Sequence, residues 1–354
     1  MERKRIWPVF IIKLLALSVL ISSCNDNKNT PTTDLIGDWL RKSDFEGVSR
    51  SGAVTFTIGT RVFVGTGFDG TYRLKDLWEF DAAKNTWFRK ADFPGVARNS
   101  AVAFSANGKG YIGTGYDGVN RLNDFWEYNP TTNAWAQIAD FPADSKYRYG
   151  AVSMSTSTKG YVGAGYGANI PTGGGNDLKD WWSYNPTTAT WTQEQSIGGS
   201  KRSFAFSMVI DGKGYVGGGS NNGLHPLDFW EFDPSTASWT QKNNLDDVTG
   251  DPNFTWALQR EAAATFTING LGYLTLGNNG SALGDCWQYD PSQDIYQVNY
   301  KGWTQKTNFE GTARDGAVGF SVGSKGYITT GRSSNTRFDD IGEFDPTLPK
   351  VDGY

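Results

Sequence analysis

The sequence predicts an all-β chain made of six copies of one four-stranded unit, and three observations carry that expectation. Composition is the first: 44 of 354 residues are Gly, aromatics reach 14% and charged residues only 20%, which suits many short strands joined by tight turns. A self-similar segment recurring about every fifty residues is the second. The third is the lack of any sustained 3.6-residue apolar period beyond residue 24, so no long helix is expected. The aromatic content argues against wholesale disorder. A net charge of −4 gives no basic footprint for nucleic acid. Two Cys and one His cannot supply a disulfide framework or a His-rich metal site.

Each copy opens on an Arg followed by small residues, at Arg50, Arg98, Arg148, Arg202, Arg260 and Arg314, spaced 48, 50, 54, 58 and 54 apart. The apolar run after it is the first strand. A second strand forms around Phe63, Tyr111, Tyr161, Tyr215, Tyr273 and Tyr327 and runs into glycines. The third carries Trp78, Trp126, Trp182, Trp230 and Trp287, with Gly342 in the sixth copy. The fourth carries Trp87, Trp135, Trp191, Trp239 and Trp303. Asn107-Gly108 and Asp211-Gly212 mark turns after the first strand, and Asn129-Pro130 and Asp233-Pro234 turns after the third. The sixth copy ends without a fourth strand. Trp39-Leu-Arg-Lys with Asp44-Phe45 matches Trp87-Phe-Arg-Lys with Asp92-Phe93, so the N-terminal strand is expected to close the ring and leave no open seam.

Four strands in about fifty residues is the size of a kelch repeat. The run Gly214-Tyr-Val-Gly-Gly-Gly219, with Trp230 following, fits it. The chain resembles a six-bladed kelch β-propeller over residues 36–347, with 348–354 as a tail. Its diglycine is altered in most copies, to Gly-Thr-Gly, Gly-Ala-Gly or Thr-Leu-Gly.

Residues 1–23 read as an export signal. Arg3, Lys4, Arg5 and Lys13 precede an apolar run, Leu14 to Ile21, too short to span a bilayer. The following Ile21-Ser-Ser-Cys24 resembles a bacterial lipobox, which implies acylation at Cys24 and residues 24–35 as lipidated Cys plus polar tether. Two or three acyl chains would anchor the protein stably, most naturally at the outer membrane of a two-membrane bacterium. Without residues 1–23 the chain holds 29 basic and 36 acidic residues, so the membrane is engaged through lipid and not through charge. A monomer is expected.

An element present in every blade reads as scaffold, because one pocket does not need six copies. The six opening arginines, with the repeated Asp and Glu beside each third-strand Trp, are expected to form ion-paired belts. The rival reading has them line the channel at one mouth. Trp181 and Cys286 share one core position. Only Trp256 among the mature tryptophans stands outside the register, in the connection from Asn243 to Gln259 with Asp246, Asp247 and Asp251, and long loops concentrate binding residues.

Function is expected where six-fold symmetry breaks. Three residues before the repeated Asp, the copies read Arg73, Arg121, Asp177, His225, Ala282 and Arg337. Ring closure would bring Arg337, Arg73 and Arg121 into one arc, with Arg332 in the same sixth-blade loop and Tyr72, Asn120 and Asn176 alongside. Guanidiniums with Asn and Tyr suit a carboxylate or a hydroxyl-rich sugar. No catalytic constellation stands out, and no cofactor or metal is expected. The copper chemistry of galactose oxidase, a secreted kelch enzyme, needs two His and a Cys–Tyr cofactor, while only His225 and Cys286 are on offer. The expectation is a recognition module for a glycan or protein ligand. The enzymatic alternative is an epimerase similar to the periplasmic sialic acid mutarotase, another six-bladed kelch protein, using carboxylates and arginines in the propeller mouth.

Overall fold

The computed structural model describes residues 35–142, 146–246, 258–295 and 301–351. Cys24, the signal segment, the tether before residue 35, and Trp256 with Asp247 and Asp251 lie outside them. Within the described residues there are six blades: five are four-stranded antiparallel sheets in sequential order, and the sixth takes its outer strand from the start of the chain and adds a short strand, Thr336–Arg337, beside its second. Blade one is Val54–Ile58, Arg61–Gly65, Leu77–Asp81 and Thr86–Arg89. The innermost strands of blades two to five are Val102–Ala106, Val152–Ser155, Phe206–Ile210 and Ala264–Ile268.

Blade six is built from both ends of the chain. Asp315–Val322, Lys325–Ser333 and Ile341–Pro349 supply three strands, and Ile36–Lys42 the fourth. Trp39 sits opposite Phe344, and Ile36 opposite Pro349. The last strand therefore runs two residues past the expected boundary at 347, because Ile36 is there to pair with it. Blade three adds a small sheet of Tyr147–Tyr149, Tyr166–Ala168 and Asn176–Asp177.

Alternation along each inner strand divides its residues between two environments. Val54 and Phe56 are buried between blades, whereas Ala53, Thr55 and Thr57 line the axial channel. The equivalent of Ala53 is Ala in every blade (Ala101, Ala151, Ala205, Ala263, Ala317), so only methyl groups line the channel at that level. The core comprises six aromatic-rich clusters, one at each junction between neighbouring blades. Phe56, Phe63 and Tyr128 join blades one and two, and Trp39, Phe266 and Tyr273 join five and six. Trp181 and Cys286 are fully buried in such clusters.

The altered diglycine has a backbone explanation. Its first position is left-handed in every blade, at Thr66 (φ 57°), Thr114 (56°), Ala164 (56°), Gly218 (60°), Leu276 (62°) and Thr330 (65°). A side chain there is strained but is accommodated in five blades; in blade four, a Cβ at Gly218 would lie 2.5 Å from the Arg260 carbonyl oxygen. The next residue is Gly in all six copies, where φ lies between 86° and 106° and a Cβ would be crowded. A Cβ at Gly219 would lie 2.5 Å from the Ser203 carbonyl oxygen, and one at Gly277 2.8 Å from that of Glu261.

Candidate ligand site at the channel mouth

Strand direction sorts the loops onto two faces. Each first strand runs from its opening Arg down to a tight hairpin, and the second returns to the face where it began. The loops joining second to third strands and those joining blades therefore share one face. The hairpins, Leu35 and the end of the last strand share the other.

The opening arginines are structural keystones of the first face. All six are fully buried. Arg98 is typical. Its two terminal nitrogens each bind one Asp124 oxygen at 2.7 Å, Nη1 also donates to the Thr114 carbonyl (2.9 Å), and Nε to that of Val96 (2.9 Å). The remaining pairs are Arg50–Asp76, Arg148–Asp180, Arg202–Asp228, Arg260–Asp285 and Arg314–Asp340. In blades one to five the third-strand Trp donates its indole N–H to the same Asp, as Trp126 does to Asp124 at 2.9 Å. The Thr114 oxygen belongs to the left-handed residue before the invariant Gly, so glycine, arginine and aspartate form one device per blade. None of the six lines the axial cavities.

Two residues after each arginine, the backbone closes a ring around the axis. Ser100 N–H donates to Gly52 O, Gly150 to Ser100, Phe204 to Gly150, Ala262 to Phe204, Gly316 to Ala262 and Gly52 to Gly316, at 2.7–2.9 Å. All six residues are left-handed, with φ between 51° and 65°. This ring belongs to the wall of a cavity of about 540 Å³ at the channel mouth, within the 300–1,000 Å³ usual for small-ligand sites.

The residue after each opening arginine is Ser51, Asn99, Tyr149, Ser203, Glu261 and Asp315, and all of these but Ser203 line the cavity and give it its chemistry. One side of the mouth is aromatic. Tyr149 packs against Tyr116 (5.4 Å between centroids), Tyr166 (5.6 Å) and Phe204 (5.8 Å). Arg73 lies in this wall, its guanidinium 4.6 Å from the Phe68 centroid and 5.3 Å from that of Tyr116, with Nε donating to Asn99 Oδ1 at 3.2 Å. Among the described residues no carboxylate comes within ion-pairing distance of it. Opposite stand Glu261 and Asp315. Asp315 is buried and accepts from Arg332 Nε at 2.8 Å. Glu261 has no basic partner within ion-pairing distance among the described residues. Burial pushes its carboxyl above the usual range; Asp315 and Asp177 add to that, and His225 and Arg332 oppose it.

The loop residues singled out by sequence fall into three groups. Arg73 and Arg332 line the mouth. Arg121 does not: it is buried and clasps the glycine-rich loop of blade three. Its Nη1 donates to Gly173 O (2.9 Å), its Nη2 to Ile170 O (3.2 Å), Thr172 O (2.9 Å) and Gly174 O (3.4 Å), and its backbone N–H to Pro171 O. Arg337 donates to its own loop at Asn335 O and lies 5.2 Å from the Phe68 centroid. The arc of three arginines therefore exists as a sequence of blades but not as one anion site. The physical reason is reach: each loop tip leans toward the next blade, so two of the guanidiniums are taken up by backbone carbonyls and a ring.

The third group stands around the rim. Tyr72 is exposed, and Asn120 bonds to Asp117 within its own loop. Asn176 pairs with Gly167 in the small sheet, and Asp177 is buried and accepts from Asn222 N–H. His225 Nδ1 faces the Gly219 carbonyl at 2.9 Å, which makes that nitrogen the donor.

Sequence reasoning missed Glu261, Asp315, Asn99 and Tyr149, although the signal was present. A column that varies next to an invariant Arg is the same kind of broken symmetry that drew attention to the loops.

Replacing Arg121 by Ala will release the loop clasp without opening the blades. Charge-assisted hydrogen bonds contribute about 1.5–3 kcal/mol each when partly buried. Amide exchange across residues 170–176 should therefore speed up tenfold or more, while the inner strands keep their protection.

Comparison with known proteins agrees with this architecture. Residues 40–201 match the family model for the KLHDC2/KLHL20/DRC7 Kelch-repeats domain. The solved structure of YjhT superposes with a TM-score of 0.67 at 16% identity, covering 85% of this chain and 96% of that one. No curated protein matches the chain in sequence. The chain is thus a β-propeller in fold, and residues 40–201 are similar to a kelch-repeat domain.

Proposed function

We propose that this protein is an exported, lipid-anchored propeller that recognises a glycan through the channel mouth on its loop face, without chemical change to it. The observation that carries the reading is the cavity of about 540 Å³. It has an aromatic wall on blades one to four and, opposite, carboxylates at its edge. Apolar walls with a few fixed polar groups are the usual make-up of small-ligand sites, and flat rings joined to hydrogen-bonding groups suit the faces and hydroxyls of a sugar. Anchoring rests on Cys24: palmitate should label the wild type but not Cys24→Ala, and equal labelling of both would end that part of the proposal.

A second reading is favoured by Glu261. A carboxyl raised by burial at the edge of a cleft is a candidate for proton transfer, and on this reading the mouth acts as an epimerase toward acidic sugars. Glycan-array screening of residues 35–354, followed by NMR of anomeric exchange on each bound sugar, separates the two. Binding with an unchanged exchange rate supports recognition. Acceleration that disappears in Glu261→Gln supports the epimerase. No binding to any glycan, together with a mouth unresponsive to substitution, rejects both.

A further inference from the structure

Among the described residues that line the mouth, Arg73 and Glu261 have no ion-pair partner, and the ring places them on opposite sides. Arg73 leaves the loop of blade one and leans over blade two, where Asn99 and Tyr116 hold it. Glu261 opens blade five. In a ring of six, blades two and five face each other across the axis. The other charges at the mouth are already matched, Arg332 with Asp315. Asp117 feels the Arg73 charge from beyond ion-pairing distance, and its carboxylate is taken up by the Val119 and Asn120 amides of its own loop.

From this juxtaposition we infer that the mouth selects a small zwitterion, its carboxylate on Arg73 and its ammonium on Glu261, lying along the Tyr116–Tyr149–Phe204 wall. The inference rests on the mouth being the recognition site and names the chemistry of its ligand. A monoanion would satisfy Arg73 and leave the half-buried Glu261 without a partner. A monocation would do the reverse. Only a ligand with both charges, spaced to the width of the mouth, supplies a partner to both groups at once. Arg73 has its Nε fixed by Asn99 and its plane fixed between two rings, so its terminal nitrogens are oriented before any ligand arrives.

A thermodynamic consequence separates this from simple charge attraction. Burial holds the free Glu261 carboxyl above its usual range, so it keeps its proton to a higher pH than an ordinary carboxyl does. An ammonium beside it favours the ionised form and expels that proton. Binding should therefore release protons, and affinity should rise with pH through the Glu261 titration. His225, Asp177, Asp315 and Arg332 also face this carboxyl, and variants at His225 control for titration of the imidazole.

The test uses the domain with its tether, residues 25–354. Muramic acid, a zwitterionic amino sugar acid, is compared with N-acetylmuramic acid, which keeps only the carboxylate. Glycyl-tyrosine is compared with its N-acetyl and C-amide forms, to distinguish an amino sugar from a peptide source. Calorimetry in two buffers of different ionisation heat reads proton release. At least one zwitterion should bind at least tenfold tighter than its singly charged partners. Glu261→Gln should abolish the preference over the N-acetyl form and the proton release, and Arg73→Gln the preference over the amide, with melting temperatures unchanged. If N-acetylmuramic acid or N-acetylneuraminic acid binds as tightly as any zwitterion, and Arg73→Gln weakens it, the zwitterion inference falls and the recognition site stands. If no probe binds, both fall.

Discussion

Replacing Arg98 by Ala will destabilise the propeller by about 3–5 kcal/mol, the usual cost of stranding one member of a buried ion pair. The substitution leaves the Asp124 carboxylate with only the Trp126 indole, and it strips donors from the Thr114 and Val96 carbonyls. It also removes the guanidinium 4.7 Å from the Phe93 centroid, which fixes the connection between blades. Arg98→Lys keeps the charge but cannot span both carboxylate oxygens, so its melting temperature should lie between those of Ala and wild type. A pH titration provides a second readout. Burial pushes the Asp124 carboxyl upward, but the Arg98 bonds and charge together with the Trp126 indole outweigh it and hold it below the usual carboxylate range; Asp76 beside Arg50 behaves alike. A folded value below the unfolded one means that the pair's contribution is complete above the unfolded value of about 3.9. It is lost as pH falls through the depressed folded value. Wild type should therefore lose stability steeply below about pH 4, and Arg98→Ala should show a shallower loss from a lower start. An Arg98→Ala protein that melts with wild type would show that the belt contributes nothing.

Architecture was legible in the sequence because one rigid device is written six times. The Arg, the invariant Gly and the Asp-x-Trp of each copy meet in a single hydrogen-bonded unit, and any one copy predicts the other five. The Trp39 strand was legible for the same reason, since its sequence duplicates that around Trp87. The mouth was harder to read. Loop arginines and column residues are equally visible in the sequence, but which of them reaches the axis depends on the lean of each loop and on neighbours more than 40 residues away. Arg121 illustrates this: its partners at 170–174 belong to the next repeat, and nothing near residue 121 announces them. Glu261 was overlooked for a simpler reason. It stands beside a scaffold Arg and was grouped with it, although the chain alternates faces there and sends the two side chains to different places.

The N-terminal strand presents the second large effect. Trp39→Ala will destabilise the protein by about 3–5 kcal/mol, and by more than Trp239→Ala, although both tryptophans occupy the same repeat position. Trp39 is 1% exposed, whereas Trp239 retains partial solvent contact. The Trp39 ring packs against Phe344 (4.9 Å), Phe309 (5.1 Å) and Phe266 (6.2 Å). Its indole N–H donates to the Thr307 carbonyl at 3.0 Å, so one side chain joins blade six to blade five across 268 positions of sequence. A blade elsewhere in the ring is held by its covalent neighbours on both sides even when its outer strand loosens. Blade six is continuous with blade one only through this strand, so weakening it opens the ring itself. Trp239→Ala should lower the melting temperature with one cooperative transition. Trp39→Ala should in addition expose the edge of Ile341–Pro349, which equilibrium amide exchange reads as lost protection along that strand and its partner Ile36–Lys42. Equal destabilisation by the two substitutions, with protection of Ile341–Pro349 retained, would mean that the ring does not depend on its N-terminal closure.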